Sequence, residues 1–191
     1  MTETPTQSEQ ELLEKSEILI WRNKYDREED LQAKGVEETL GAKMRKAGYL
    51  TKADLETIVK WKFQGRLVGR QKRTLNFLGT VNENIVKETT SLAFQTKDDE
   101  TRLGLLSQIK GVGNALGSVI LAFYDPQNYG VLDIHAWREL FGKEPNDIFS
   151  NPRQGVRFFE RLRQISQESG FSCRDVEKAI FKRNLETGKS K

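Results

Sequence analysis

A chain of 191 residues with 36% hydrophobic and 31% charged side chains can bury one substantial core, or two small lobes sharing an interface, but not two independent domains of ordinary size. It has no apolar run long enough to cross a bilayer, and its opening MTETPTQSEQE lacks the basic flank and apolar centre of a secretory leader, so a cytoplasmic protein is expected. A single cysteine, Cys173, and a single histidine, His135, exclude an internal disulfide, an iron–sulfur cluster and a Cys/His metal site, and neither a metal nor another cofactor is expected.

The net charge is only +3, but residues 1–50 carry 8 basic and 11 acidic side chains, 51–80 carry 7 and 2, and 151–191 carry 10 and 5. Two basic segments of this kind suit a polyanion-binding surface, and equally suit solvated helix faces.

The hydrophobic period is helical nearly throughout, which predicts an all-α fold. A first helix is expected over 8–25, with Leu12, Leu13, Ile18, Leu19 and Trp21 on its stripe, and a second over 36–47, closed by Gly48. Thr51 followed by Asp54 marks a helix start, after which Leu55, Ile58, Val59 and Lys62 share a face and the helix stops near Gly65. Residues 66–79, RLVGRQKRTLNFLG, set Leu67, Leu75 and Leu78 among Arg66, Arg70, Lys72 and Arg73, a basic helix that is either an anion-binding face or a solvated one. Further helices are predicted over 82–94, 98–109, 114–124, 134–141, 152–168 and 172–186, the last opened by Ser172 with Asp175.

Between two of these helices lies KGVGN, residues 110–114. Glycines at 111 and 113 permit a sharp turn through positive φ and a close approach by another backbone, while Val112 anchors the turn in the core. The amides that open the next helix then face outward with the positive end of the helix dipole behind them, a small anion site. A plain αα turn has the same letters. Fifteen to twenty residues on, YGVLDIHAWREL places Asp133 at the foot of a helix, where it is an N-cap, a functional carboxylate, or both.

Over residues 66–140, and above all in IKGVGNALGSVILAFYDPQNYGVLDIHAW, the chain resembles the helix-hairpin-helix DNA glycosylase superfamily, whose hairpin Leu-Pro-Gly-Val-Gly is followed by an apolar helix, a loop and a helix-leading Asp. The resemblance implies two helical lobes with a cleft between them: a hairpin lobe over about 30–132 and a second lobe from about 1–29 with 133–191. It implies a monomer that acts on double-stranded DNA containing a modified base, in base-excision repair. Lys110, Gly111, Val112, Gly113 and Asn114, with Arg70, Lys72 and Arg73, would hold the DNA backbone without reading sequence. Asp133 would be the catalytic carboxylate, and Trp61, Trp137 and Tyr124 the walls of the base pocket, each aromatic being also a core candidate. Bifunctional members carry a lysine two positions after the second glycine, where this chain has Ala115, so the resemblance implies a monofunctional enzyme that uses water as nucleophile. A non-catalytic helix-hairpin-helix DNA-binding module is the alternative.

Overall fold

The computed structural model describes residues 14–29, 31–64 and 68–188. Among them the chain is all-helical, with ten helices and no strand: α1 (Lys15–Glu28), α2 (Leu31–Ala47), α3 (Lys52–Lys62), α4 (Val68–Gly79), α5 (Glu83–Gln95), α6 (Asp99–Ser107), α7 (Asn114–Tyr124), α8 (Ile134–Phe141), α9 (Pro152–Ser169) and α10 (Cys173–Thr187). Leu12, Leu13, Gly65, Arg66 and Leu67 lie outside the described residues. None of these helices is long and apolar enough to cross a membrane.

Local chemistry sets most of the boundaries. The Thr51 hydroxyl accepts from the Asp54 amide while the Asp54 carboxylate accepts from the Thr51 amide, a reciprocal pair that satisfies two donors otherwise orphaned at the start of α3. Ser172 does the same service for the Asp175 amide of α10. Asn151 caps α9, with Pro152 in the first turn, where a missing N–H costs nothing. The first helix begins at Lys15 and runs to Glu28, three residues beyond its expected end, where the Glu29 amide donates back to the Tyr25 carbonyl.

One continuous apolar cluster runs from Ile18 of α1 to Ile180 of α10. Its centre is α7, whose residues from Leu116 to Phe123 are all buried, so the helix is apolar all round rather than striped. It packs against α2, α3, α6 and α9. Around α10 gather α1, α8 and α9. Leu103 and Leu106 of α6 press on α7 at Gly117, which closes the α6–α7 pair tightly enough to make a helical hairpin. Residues of α3, α4, α8, α10 and the C-terminal end of α1 line one concave surface.

Candidate functional site

That surface is a cleft of about 880 Å³, lined among others by Tyr25, Trp61, Lys62, Arg70, Asp133, His135, Phe149 and Phe181. It mixes aromatic walls with a few charged side chains, the composition of a pocket that both encloses and orients a ligand.

Asp133 sits on its floor because it is the N-cap of α8. Its Oδ1 accepts from the His135 amide at 3.0 Å, and its Oδ2 lies 3.3 Å from Lys62 Nζ. The side chain is 26% exposed, so the carboxylate is neither sealed in the core nor free on the surface. Burial pushes its pKa up, but the Lys62 ammonium and the His135 amide outweigh burial and hold it below the ordinary aspartate range. The group is therefore a fixed anion at neutral pH. Lys62, only 11% exposed, also reaches the Leu132 carbonyl at 3.4 Å, so α3 braces the loop that presents Asp133. In the sequence Lys62 is only a member of the α3 face; its place on a stripe with Leu55, Ile58 and Val59 is the signal that its amine turns inward and needs a partner.

The other cleft residues have clear supports. Trp61 donates from Nε1 to the Ala33 carbonyl at 3.0 Å and stands edge-on to Phe123, which fixes its ring as a wall. His135 pairs through Nδ1 with Asn184 Oδ1 at 3.1 Å and meets Phe181 edge-on. The Tyr25 phenol is pushed up to about 12 by burial, so it is a neutral hydroxyl at any physiological pH.

Two of the three expected pocket aromatics lie elsewhere. Trp137 is 1% exposed and tilts against Phe141 in the core, because α8 turns that face inward to pack on the rest of the molecule. Tyr124 stacks face to face on Phe94 at 4.0 Å, at the end of α7 away from the cleft lining. Trp61 is the one of the three that lines the cleft. Phe149 and Phe181 supply the remaining walls; their loop and α10 positions gave no pocket signal in the sequence.

The KGVGN turn meets the backbone of Phe149, one of the residues that line the cleft. Gly111 has φ of +96°, a conformation that side chains rarely adopt, and packs on Thr74 and Phe77 of α4. Gly113 differs from expectation: its φ is −110°, and glycine is needed there because a Cβ would stand 2.9 Å from the Phe149 carbonyl oxygen. Val112 is buried, as an anchor should be. Asn114 is buried too, and this removes it from any anion contact: its Nδ2 donates to the carbonyls of Ile148 and Asn151, and its amide to the Phe149 carbonyl at 3.0 Å. The residue staples the α8–α9 loop to the start of α7. The amides of Gly113 and Ala115 have no backbone acceptor among the described residues.

Lys110 and Arg73 flank the Phe77 ring, with their charges 5.3 and 5.5 Å from its centroid. Arg70 and Lys72 are exposed on the same helix, and Arg70 also lines the cleft. None of these four cations has a salt-bridge partner among the described residues. The turn, the basic face of α4 and the cleft are thus contiguous: α4 touches the turn through Phe77 and the cleft through Arg70, while Phe149 joins the start of α7 to the cleft wall.

No protein-family model matches the chain, and no curated protein or solved structure matches it.

Proposed function

We propose that the protein is a DNA glycosylase that hydrolyses the N-glycosidic bond of a damaged or mismatched base, and that the α6–α7 hairpin is a helix-hairpin-helix motif gripping the DNA backbone. The observation that carries this reading is the placement of an ionised, half-shielded Asp133 inside an aromatic-walled cleft, with the KGVGN turn bonded to the backbone of Phe149, one of the cleft's walls. Free amides and unpaired cations at that turn suit phosphates, and main-chain contacts of this kind position DNA without specifying sequence.

The chemistry then follows from charge. A base within a duplex is out of reach, so the nucleotide is flipped into the cleft, at least cost where pairing is already weak. Trp61, Phe149 and Phe181 give it surfaces to lie against. As the C1′–N bond breaks, its electron pair leaves with the base and positive charge builds on the sugar. The Asp133 carboxylate, held in place by His135 and Lys62, stabilises that charge before and during its formation. Water adds to C1′ and passes a proton to Asp133, and the departing base takes a proton from solvent. Ala115 offers no amine from the hairpin helix, which favours water as the nucleophile and little borohydride-trapped adduct.

The test is a base-release assay with the whole chain on duplexes carrying oxidised, deaminated and alkylated bases. Release of at least one base supports the proposal. Tight duplex binding with no base released would leave the second reading, a DNA-binding module without catalysis, which the alanine at position 115 favours. Absence of duplex binding at low salt would remove both.

A further inference from the structure

Among the described residues, four buried side-chain atoms have no hydrogen-bond partner: Arg22 Nε, Trp137 Nε1 and both carboxyl oxygens of Glu29. Of these residues only Glu29 lines the cleft. Its side chain is 6% exposed, and its nearest opposite charge, Lys178 Nζ, stands 3.8 Å from Oε2, beyond hydrogen-bond reach. Lys178 is itself engaged at 3.0 Å by Asp26. A carboxylate stripped of water without donors costs more than almost any other polar group, and buried polar atoms in folded proteins nearly always find partners. Among the described residues Glu29 has no such partner, although Glu37 and Glu177 are both bonded by Arg174. Glu29 also follows α1 directly, where the last carbonyls of the helix add negative partial charge to the same wall, and Glu28 lines it beside Glu29. Lys182 and Arg174 line the same end of the cleft but are engaged by Glu28, Glu37 and Glu177, which leaves Glu29 as the acceptor without a donor among the described residues.

We infer that Glu29 reads the base in this cleft, and that the base it takes presents two adjacent N–H donors, the guanine-type edge of a ring N–H beside an exocyclic amino group. The inference rests on the glycosylase reading for the nucleotide as ligand. A carboxylate is an acceptor at both oxygens. Adenine and cytosine edges offer one donor beside a lone pair, and thymine or uracil one donor between two carbonyls, so each leaves a carboxylate oxygen unpaired or opposed. Only the guanine type satisfies both oxygens in the parallel geometry that carboxylates share with two-pronged donors. Reaching the base takes a rotamer change that swings the Glu29 carboxyl onto the cleft surface, and the two new bonds compensate it. A site whose buried acceptors go unpaired with the wrong ligand discriminates strongly against it.

The experiment uses the whole chain and three single-stranded pentamers of thymidine, the central nucleotide being deoxyguanosine, deoxyinosine or thymidine. Inosine keeps the ring N–H and lacks only the amino group. The wild-type protein binds the guanine pentamer about tenfold more tightly than the inosine one, the discrimination expected for losing half of a bidentate pair. Glu29→Gln brings that ratio to about one and leaves the melting temperature unchanged or raised, since a buried carboxylate without hydrogen-bond donors among the described residues has been removed. Equal affinity of the wild type for guanine and inosine pentamers would overturn the inference, as would a tenfold ratio surviving in Glu29→Gln. A variant that melts earlier or fails to fold would also overturn it, by showing that the carboxylate has a structural partner. These strands need neither flipping nor bond cleavage, so the ratio reports on Glu29 alone, whereas base release from duplexes reports on the reaction.

Discussion

The two most cationic regions of the molecule have opposite fates. On α10, Arg174 is bonded by Glu37 and Glu177, Lys178 by Asp26, Lys182 by Glu28 and Glu186, and Arg183 faces Glu139. Three of these six acids, Asp26, Glu28 and Glu37, come from α1 and α2, so the acidic N-terminal helices help to neutralise the basic C-terminal one. Around the KGVGN turn, Arg70, Lys72, Arg73 and Lys110 are exposed and without ion-pair partners among the described residues. The basic residues of α10 are therefore engaged in ion pairs within the molecule, whereas Arg70, Lys72, Arg73 and Lys110 leave charge for a polyanion. A tally of charge along the chain describes both regions in the same terms; the pairing that tells them apart exists only in three dimensions.

The contrast can be broken most violently at Arg174, which burial alone would make costly and which Glu37 and Glu177 hold strongly charged. Arg174→Met leaves two buried carboxylates without a counter-charge and should cost about 3–5 kcal/mol, read as a large fall in melting temperature. The salt dependence of DNA binding per folded molecule should be unchanged, since Arg174 is engaged by Glu37 and Glu177. If Arg174→Met instead lowers the salt dependence without lowering stability, the two regions have been assigned the wrong way round.

Next in size are the glycines of the turn. Gly111→Ala forces a side chain into a positive φ, a strain of about 1–3 kcal/mol. Gly113→Ala drives a methyl onto the Phe149 carbonyl and should loosen the start of α7 from the α8–α9 loop. Both variants should lose affinity for matched and lesion-bearing duplexes by the same factor. A loss confined to one duplex would mean that the turn reads bases.

Smaller still in stability, but sharper in diagnosis, is the pair Arg73→Gln and Lys110→Gln. Each changes stability by less than about 0.5 kcal/mol, as exposed unpaired charges do, and each lowers the salt dependence of duplex binding by about one phosphate contact. Unaltered salt dependence in the double variant would make this face a solvated one.

The smallest expected effect is a shift of pH profile. Lys62→Met removes the main influence that lowers the Asp133 pKa while burial still raises it, so the acid limb of base release moves to higher pH. The sign for stability follows: a depressed carboxyl stabilises the fold above its unfolded pKa, and that contribution fades as pH falls through the folded value. The stability gap between wild type and Lys62→Met is thus present at neutral pH and closes in acid. A gap that widens in acid would contradict the pairing.

Much of the fold was legible because its signals are local. Thr51 with Asp54, Ser172 with Asp175 and the helical period required no tertiary knowledge, and the helix-leading role of Asp133 came from the same grammar. The site was legible where backbone geometry dictates the letter, as at Gly111. It was illegible where packing decides. Trp61 and Trp137 are the same residue on similar amphipathic helices, and only the neighbours of each determine that one lines the cleft and the other fills the core. Asn114 reads as a phosphate ligand until the α8–α9 loop is seen to occupy its donors. The site roles of Lys62 and Glu29 are not legible in the sequence because they lie in what each faces: Asp133 for one and, among the described residues, no hydrogen-bond donor for the other.

The central claim is that the turn and the carboxylate act on one nucleotide. Single-turnover measurement of Asp133→Asn on whichever lesion duplex the wild type processes tests it directly, with binding and base release followed on the same samples. The account predicts duplex affinity within about threefold of wild type and release slowed at least a hundredfold, the range of a lost acid–base or electrostatic group. Release within a few-fold of wild type would contradict it, and so would a parallel collapse of binding and release.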